Sequence, residues 1–416
     1  MPILSAPQDR AYRWLVVAML WTVCFFNYAD RQAIFSVFPL LGTQLHLSAV
    51  QLGIVGGAFM WVYALFGPIA GWLSDRFSRR NIILSALIFW SLTILATALA
   101  RNFAELTLVR ALGGFGEAFY FPAAMSLISD YHGPSTRSRA MSLHQSSVYF
   151  GSIAGGTVSG LLGQYYGWRS SFLFFGSAGI ALALLLVFLL REPVRGMADA
   201  PEARPSSQSS LVREFREVLG SRMVLVLILA FIGANFVAVV FLTWLPTFLY
   251  QKFHMSLSMA GLNSTVYIQI ASVLGVLTGG VLADALHKKS RGGRVLTQAI
   301  GLLCGVPFLF LTGSTASIAL LIIAMVGFGY FKGIYDANIF ASLYDVVGVE
   351  RRGAAAGILN SLGWLGAGFA PIAVAVGAEH YGMSAALSAT AAIYLLIGVL
   401  LFAAARRFSS SSVEQS

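Results

Sequence analysis

The chain has 416 residues, of which 57% are hydrophobic and only 11% are charged, and its formal net charge is +10. This composition excludes an ordinary soluble domain, because the apolar segments are too many and too long. The basic excess could indicate nucleic acid, but the basic residues cluster in loops on one side of the predicted membrane spans. We therefore expect the lipid bilayer, and no nucleic acid, as a partner. Cys24 and Cys304 both lie in apolar segments, so neither a disulfide framework nor a Cys-rich metal site is predicted.

Twelve apolar segments are long enough to cross a bilayer. Each is near or above the ~20 residues that a spanning helix needs. Helices are expected, because a span must satisfy its own backbone hydrogen bonds. The predicted spans are 14–41, 51–73, 81–100, 105–130, 139–163, 168–190, 223–250, 258–284, 295–313, 316–343, 353–378 and 383–405. The predicted fold class is therefore an all-α integral membrane protein with two six-helix halves.

The positions of the basic residues predict that both termini are cytoplasmic. With the N-terminus inside, nearly all of the 27 lysine and arginine residues fall on the cytoplasmic side or within spans. Only Arg101, Arg169 and Lys252 lie in the predicted outer loops. We expect a multi-pass protein of the cell (plasma or inner) membrane.

A polar break separates the two predicted halves. Residues 191–222 contain three prolines and a Ser-rich run, which is typical of a mobile linker. Within it, 211–219 could form an amphipathic helix on the membrane surface. The predicted domains are 1–190, the N-terminal half, and 223–408, the C-terminal half, followed by a disordered tail at 409–416.

The two halves resemble each other in sequence. Six features of the first half recur 207 to 209 residues later, and two more recur 213 residues later. The matched pairs are Phe38-Pro39 with Leu245-Pro246, His46 with His254, Ser48 with Ser256, Gly53 with Gly261, Gly71 with Gly280, Asp75 with Asp284, Gly114-Phe115-Gly116 with Gly327-Phe328-Gly329, and Arg139 with Arg352. Repeated halves of this kind are typical of transporters that hold the substrate near the bilayer midplane. The paired histidines have loop positions, which favours a turn or capping role over metal binding.

Two spans carry charged residues deep within the membrane. Asp30 and Arg31 lie in the middle of the first span, and Arg110 and Glu117 lie in the fourth. An ionised group at that depth costs roughly 2.5–3.5 kcal/mol on insertion scales, so it usually faces a cavity or a partner. Arg110 and Glu117 share one helical face, and Glu117 falls near the midplane, where a carboxyl group can carry a proton. Two alternatives stay open: Asp30 and Arg31 could neutralise each other, and Arg110 and Glu117 could form a static tie.

The loop between spans two and three, Gly71–Arg80, is called the latch loop here. It has a glycine, an aspartate four residues later and then a basic cluster, Arg76, Arg79 and Arg80. We expect close packing at Gly71 and a switchable contact of Asp75 with a helix N-terminus or an arginine. Arg139 is the expected partner of Asp75 in the first half, and Asp284 and Arg352 are the expected counterparts in the second.

Span ten places three polar side chains on one helical face. Lys332, Tyr335 and Asp336 follow each other at i, i+3 and i+4, and Asn338 follows closely. Lys332 could be a second anion contact, with Tyr335 and Asn338 as hydrogen-bonding groups and Asp336 in proton coupling. Equally, Lys332 and Asp336 could neutralise each other.

Several of these motifs together resemble one transporter family. The latch loop resembles the signature of the major facilitator superfamily, with Ser78 where glycine is usual. Other motifs resemble the anion:cation symporter family within that superfamily: Tyr28-Ala29-Asp30-Arg31, Glu117-Ala118, Phe121-Pro122, Arg139-Ala140 and Gly167-Trp168-Arg169. Spinster-like transporters of lysolipids and sphingolipids share the Asp-Arg pair and the Gly-Glu-Ala motif.

The resemblance implies roles for the buried charges. It makes Arg31 the anchor of an anionic substrate, with Tyr28 beside it, and makes Asp30 and Glu117 the proton-coupling residues, with Arg110 as their neighbour. The implied activity is proton-coupled symport of a small organic anion, such as a sugar acid or another carboxylate, by alternating access. The alternative is a spinster-like transporter of a lysolipid or another amphiphile.

An enzyme is the remaining functional class. The sequence contains no H-E-x-x-H, no G-x-S-x-G and no Cys/His cluster, so we expect no catalytic residues and no metal site. It also contains no ATP-binding motif, so a proton or substrate gradient would drive any uphill step. We expect no cofactor and a monomeric protein.

Overall fold

The computed structural model describes residues 10–133, 135–194, 217–348 and 351–410. Within these ranges the secondary structure elements are all helices. The first half contains eight helices: α1 (Arg10–Ser36), α2 (Phe38–Gln44), α3 (Ala49–Ser74), α4 (Arg79–Thr97), α5 (Phe103–Ala118), α6 (Tyr120–Tyr131), α7 (Arg137–Tyr166) and α8 (Trp168–Leu189).

The second half repeats this arrangement with more breaks. Its helices are α9 (Arg222–Lys252), α10 (Leu257–His287), α11 (Gly293–Ser314), α12 (Ile318–Asp336), α13 (Ile339–Val346), α14 (Arg352–Ala367), α15 (Ala370–Tyr381), α16 (Met383–Ala389) and α17 (Ala391–Ser410). Every predicted span corresponds to one helix or to two consecutive helices, so the all-α membrane prediction is confirmed.

Helix length and hydropathy together divide the predicted spans into two groups. Nine spans of the described chain are long and apolar enough to cross a membrane by length and composition. The three predicted spans outside this group are α1 with α2, α5 with α6, and α7. Two of them carry the deep charges Asp30, Arg31, Arg110 and Glu117, and α7 is rich in serine and glycine. The deep charges of the first half thus lie in two of the three spans outside this group, whereas the predicted polar residues of span ten lie inside it.

Prolines follow three of the helix breaks. Pro39 and Pro371 lie in the first turn of α2 and α15, and Pro122 lies in the first turn of α6. A proline has no backbone N–H to donate and its ring clashes with the preceding turn, so the helix before it ends. His46 and His254 follow the ends of α2 and α9 with φ of 54° and 51°, which is the turn role expected for both.

Contacts group the helices into two compact units. The first unit holds the helices up to α8, except residues 49–57 of α3, and it includes residues 257–262 of α10. The second unit holds the remaining helices together with residues 48–57. In the first unit the most extensive contact joins α1 and α7, and in the second unit α11 packs mainly on α12 and α17.

The predicted linker and tail fall largely outside the described residues. This applies to 195–216 of the linker, including most of the predicted surface helix, and to 411–416 of the tail. Helix α17 extends to Ser410, two residues into the predicted tail.

Candidate functional site

The deep charges of the first half are held by the packing of α1 against α7. An added Cβ at Gly151 would lie 2.4 Å from the Phe25 carbonyl oxygen, and one at Gly155 would lie 2.3 Å from that of Ala29. Only glycine permits this approach of the two backbones. The contact fixes the turn of α1 that carries Tyr28, Asp30 and Arg31.

Arg31 and Glu117 form an ion pair between α1 and α5. Arg31 Nε donates to Glu117 Oε2 at 2.5 Å. The Glu117 side chain is fully buried, and that of Arg31 is 11% exposed. Arg31 Nη1 and Glu117 Oε1 are buried and have no hydrogen-bond partner among the described residues. The pair therefore keeps one donor and one acceptor unused.

Three aromatic rings surround the Arg31 guanidinium. Its Cζ lies 4.5 Å from the ring centroid of Tyr63, 4.8 Å from that of Tyr28 and 5.0 Å from that of Phe59. Arg110 lies over the same Phe59 ring at 4.8 Å. Ring faces attract cations, more strongly where water is excluded. The rings therefore hold two arginines close together in a place where water does not solvate them fully.

Asp30 lies beside this pair without a hydrogen bond. It is 1% exposed, and neither of its carboxyl oxygens has a hydrogen-bond partner among the described residues. Its electrostatic neighbours are Glu117 and Arg110. A carboxyl group buried without hydrogen bonds is costly, so Asp30 is a candidate functional residue rather than a packing residue.

Both of the simpler alternatives for these charges are wrong in this structure. Asp30 does not pair with Arg31, because adjacent residues on a helix point in different directions. Glu117 pairs with Arg31 rather than with Arg110, which lies two turns away on its own helix. The sequence places Glu117 at a depth similar to that of Asp30 and Arg31, and the contact between helices selects the pair.

The polar face of α12 is engaged internally. Lys332 and Asp336 form an ion pair, so the neutralising alternative describes this structure. Both amide hydrogens of Asn338 are donated to backbone carbonyls, to Gly279 at 3.2 Å and to Ile334 at 3.1 Å. Tyr335 is 1% exposed, and its hydroxyl is buried. Tyr335 and Asn338 are thus both buried in this conformation. Their role as substrate contacts stays a prediction.

The latch loop has a different ion pair from the expected one. Arg79 is paired with Asp130 at the end of α6, and both are largely buried. Arg139 is exposed and forms no ion pair within the described residues, so the expected Asp75–Arg139 pair is wrong here. Arg76 lies over the Trp72 ring at 4.0 Å.

Close packing is also missing at the latch glycines. A Cβ added at Gly71 or at its counterpart Gly280 would meet no atom within 4 Å. The expectation of close packing at Gly71 is therefore wrong for this conformation, where the surface of α3 at that point is uncovered.

The second half has a matching ion pair at the equivalent helix start. Arg294 Nη1 donates to Asp345 Oδ1 at 2.5 Å, and Arg294 Nη2 lies 3.6 Å from Asp284 Oδ1. Arg79 and Arg294 are 215 residues apart, and so are Asp130 and Asp345. The predicted counterpart Asp284 thus takes part in the second copy of the cluster.

Nothing in the sequence indicated Glu192, which follows α8 and accepts hydrogen bonds from the start of α4. Its carboxylate accepts from the backbone N–H of Arg79 at 3.0 Å and of Arg80 at 2.6 Å, and from the Ser78 hydroxyl at 2.9 Å. Arg80 in turn donates through Nε to the Leu190 carbonyl at 2.5 Å. No periodic signal marks Glu192. Only its position just after α8, opposite the start of α4, could have indicated the contact.

The comparisons with known proteins agree on the family. The family model of the Major Facilitator Superfamily matches residues 20–331 and 249–415. The chain is 27% identical to the hexuronate transporter of Bacillus subtilis over 356 residues, which cover 83% of each protein. It is 27% identical to protein spinster homolog 1 of Xenopus tropicalis over 327 residues, covering 73% of this chain and 61% of that protein.

A solved structure has the same fold. A bacterial homolog of the human lysosomal transporter spinster superposes with a TM-score of 0.85 at 24% identity, covering 96% of this chain and 98% of the other. The predicted resemblances to transporters of sugar acids and to spinster proteins are thus both found among the relatives. The relatives and the fold are those of transporters and not of enzymes. The chain is a membrane transporter that belongs to the major facilitator superfamily.

Proposed function

We propose that the protein is a proton-coupled symporter of a small organic anion, a sugar acid or another carboxylate, that works by alternating access. The carrying observation is the ion pair of Arg31 with Glu117, with Asp30 buried beside it. The similarity to a hexuronate transporter supports the substrate class.

Arg31 is the proposed anchor of the substrate carboxylate. A guanidinium can bind a carboxylate through two parallel N–H groups, and Nη1 of Arg31 has no partner among the described residues. The rings of Tyr28, Phe59 and Tyr63 hold the guanidinium in place, so that little rotational entropy is lost on binding. Tyr28 and Tyr63 also carry hydroxyl groups that can contact a sugar acid.

Glu117 is the proposed coupling residue, because it competes with the substrate for Arg31. While Glu117 is ionised it occupies Arg31 Nε. Protonation of Glu117 removes its charge and leaves Arg31 free for the substrate anion. Anion capture and proton capture thus favour each other, which is the reciprocal coupling that symport requires.

The charge balance of the buried cluster supports a fixed ratio. Arg31, Arg110, Asp30 and Glu117 sum to zero when all are ionised. A bound monoanion adds one negative charge and a proton on Glu117 or Asp30 removes one, so the loaded cluster is again neutral. Because a net charge at this depth is costly, we propose one proton for each monovalent anion.

The direct test is uptake into proteoliposomes. Uptake of a hexuronate should increase with an inward proton gradient and stay unchanged when a membrane potential is imposed at constant pH. Arg31→Ala should weaken binding about 10- to 100-fold, the effect of losing 1.5–3 kcal/mol of charge-assisted hydrogen bonding. Glu117→Gln should keep exchange of substrate across the membrane but should lose accumulation driven by the proton gradient.

Arg101→Gln is the matched control, since it removes an arginine charge from an exposed loop. It should transport like the wild type. Uptake that is independent of the proton gradient in both the wild type and Glu117→Gln would contradict proton coupling. Unchanged uptake by Arg31→Ala would contradict the anchor.

A second candidate is transport of a lysolipid or a similar amphiphile, favoured by the similarity to a spinster homolog. Its anionic headgroup could use the same arginine. Thermal unfolding of the purified protein with sugar acids and with lysophospholipids separates the candidates, because a ligand at 100 times its dissociation constant adds about 2.7 kcal/mol of stability. Stabilisation by lysophospholipids alone would favour the second candidate.

We also propose the membrane arrangement that the basic residues indicate. Both termini face the cytoplasm, the protein lies in the cell membrane, and residues 1–190 and 223–408 form the two moving halves joined by 191–222. The latch loop and the matching second-half positions Gly280 and Asp284 are proposed to regulate the movement. Reporter fusions after residues 194 and 416 should both have cytoplasmic activity, and a periplasmic signal from either would contradict the orientation.

A further inference from the structure

A lipid-sized groove lies on the surface of the second unit. It is formed by α11, α16 and α17 and encloses a volume of about 810 Å³. Its walls include Pro307, Phe310, Ser384, Ser388, Ala392 and Leu395. Small-molecule sites usually measure about 300–1,000 Å³, so the groove is large enough for a ligand.

The sequence explains why the surface is concave here. Pro307 lies inside α11, and Thr390 separates α16 from α17. Near the break, the wall consists of the small side chains of Ser384, Ala389 and Ala392. On the opposite wall the Phe310 side chain is 57% exposed, and it forms a large apolar ridge.

A lysine marks one end of the groove. Lys252, the last residue of α9, donates from Nζ to the Gly313 carbonyl at 3.1 Å and to Ser384 Oγ at 2.9 Å. Ser384 is itself part of the groove wall. The ammonium group therefore lies at the mouth of an apolar surface.

The charge of Lys252 is not neutralised by the protein. Within the described ranges no carboxylate lies within ion-pair distance of it, and both of its hydrogen-bond acceptors are uncharged. An ammonium group has three donors, and two are used. One N–H remains available to an anion. The ammonium group also lies over the rings of Phe248 at 4.9 Å and Phe253 at 5.7 Å, but it has no counter-ion among the described residues.

From these observations we propose that the groove binds an anionic phospholipid, with an acyl chain along α11 and α17 and the phosphate on Lys252. The occupant is recognised by two features at once, an apolar channel and a single cation at its mouth. A zwitterionic lipid can place an acyl chain in the channel, but its phosphate is already neutralised by the ammonium group of the same headgroup. A helix of a second copy would cover the channel and leave the lysine charge buried and unpaired, which is costly.

The proposed site does not depend on the proposed transport function. It lies in the second unit, and none of its residues belongs to the Arg31 cluster. Lipid binding there would stabilise the ends of α9, α11 and α16, which Lys252 already connects.

Native mass spectrometry of the detergent-solubilised full chain tests the proposal, with palmitoyl-oleoyl phosphatidylglycerol as the probe and phosphatidylcholine of the same chains as the competitor. We expect one phosphatidylglycerol to be retained in preference to phosphatidylcholine. Lys252→Gln should weaken this retention about tenfold, which corresponds to 1.4 kcal/mol. Lys252→Arg should restore it.

Filling the groove tests the acyl-chain part of the site. Ala392→Trp and, as a second variant, Ala389→Phe place a large side chain on an exposed wall position, and each should reduce retention while the melting temperature without lipid stays near that of the wild type. Arg101→Gln removes a cation from a predicted outer loop elsewhere and should retain the lipid. Arg31→Ala should retain it too, even if transport is lost.

Three results would overturn the proposal. One is equal retention of the two lipids by the wild type, which would make the groove part of the general lipid-facing surface. Another is an equal loss of phosphatidylglycerol retention in Lys252→Gln and Arg101→Gln, which would indicate unspecific charge attraction. The third is stabilisation by glycerol 3-phosphate as large as that by the lipid, since the headgroup alone would then be the ligand.

Discussion

Arg137 and Arg352 make the same hydrogen bond in the two halves of the chain. Arg137 Nη2 donates to the Ser129 carbonyl, and Arg352 Nη2 donates to the Tyr344 carbonyl, each over 3.1 Å and each eight residues back. The two arginines begin α7 and α14 and are 215 residues apart. The sequence comparison pairs Arg352 with Arg139 instead, and the structure corrects this register by two residues.

The corrected register predicts which arginine stabilises the fold. Arg137→Gln should lower the free energy of unfolding by about 1 kcal/mol, because it removes charge-assisted bonds to the carbonyls of Ser129 and His132. Arg139→Gln, the matched control, should stay within ~0.5 kcal/mol. Thermal unfolding measures both, and a larger loss in Arg139→Gln would contradict the structural pairing.

Glu192 should contribute to stability as the cap of α4. Its carboxylate accepts the backbone N–H groups of Arg79 and Arg80, which an α-helix leaves unpaired at its start. Glu192→Ala should cost about 1–2 kcal/mol, and Glu192→Gln less, since the amide oxygen still accepts but carries no charge to interact with the helix dipole. Denaturation of the two variants measures the difference. Equal stability of Glu192→Ala and the wild type would rule out the cap.

His132 should make the protein less stable in acid. Burial lowers the pKa of His132 below its usual 6.5, and the neutral ring contacts Thr136 Oγ1 at 3.1 Å and the Arg13 carbonyl at 3.2 Å. Since the folded state holds this proton less tightly than the unfolded chain, the contribution of His132 is fully present above pH 6.5. It is lost as the pH falls below 6.5 through the lowered pKa.

The measurement is the melting temperature of the wild type and of His132→Gln between pH 8 and pH 5. The decrease on acidification should be smaller in the variant, which cannot titrate at this position. Parallel curves for the two proteins would show that another group is responsible.

Because the space beside Gly71 is open, we expect a variant at this position to fold normally but to change conformation slowly during transport. The free energy of unfolding of Gly71→Val should be within ~0.5 kcal/mol of the wild-type value, because the added side chain starts in open space in this conformation. If another conformation covers Gly71, turnover should decrease roughly tenfold, which corresponds to 1.4 kcal/mol on the barrier. Stopped-flow uptake and thermal unfolding separate the two effects.

Gly155→Val is the contrasting variant, because its side chain would overlap the backbone of α1 at Ala29. It should reduce stability as well as transport. A wild-type turnover in Gly71→Val would mean that this surface of α3 stays uncovered throughout the cycle.

Asp75 tests the latch hypothesis through kinetics. Asp75→Asn should slow transport while it leaves substrate affinity unchanged, since Asp75 is proposed to stabilise one of two conformations and not to contact the substrate. Binding by isothermal calorimetry and turnover in proteoliposomes provide the two values. An equal loss of affinity and turnover would contradict a latch.

The helices and the depth of the charged site could be predicted from the sequence, because the bilayer constrains both. A span must be helical and apolar, so Asp30, Arg31, Arg110 and Glu117 stand out within their spans, with Glu117 at a depth similar to that of Asp30. Gly151 and Gly155 of α7 are four residues apart, a spacing typical of close helix packing, and both lie against α1.

The partners of these charges could not be predicted in the same way. Helical spacing places residues on a face but does not determine the rotation of one helix against another. Arg31 therefore pairs with Glu117 on another helix, and the buried ion pair of the latch loop joins Arg79 to Asp130 and does not involve Arg139. The rings of Phe59 and Tyr63 were missed for the same reason, since on α3 they look like ordinary lipid-facing or core side chains.

The separation of Arg31 from Glu117 has a consequence for biosynthesis. Helix α1 leaves the ribosome before α5, and its counter-charge is 86 residues behind it. Until α5 emerges, two ionisable groups of α1 face a cost of roughly 2.5–3.5 kcal/mol each in the hydrocarbon core. The first span therefore depends on a later one for its place in the bilayer, and membrane insertion of this half is completed only when both are present.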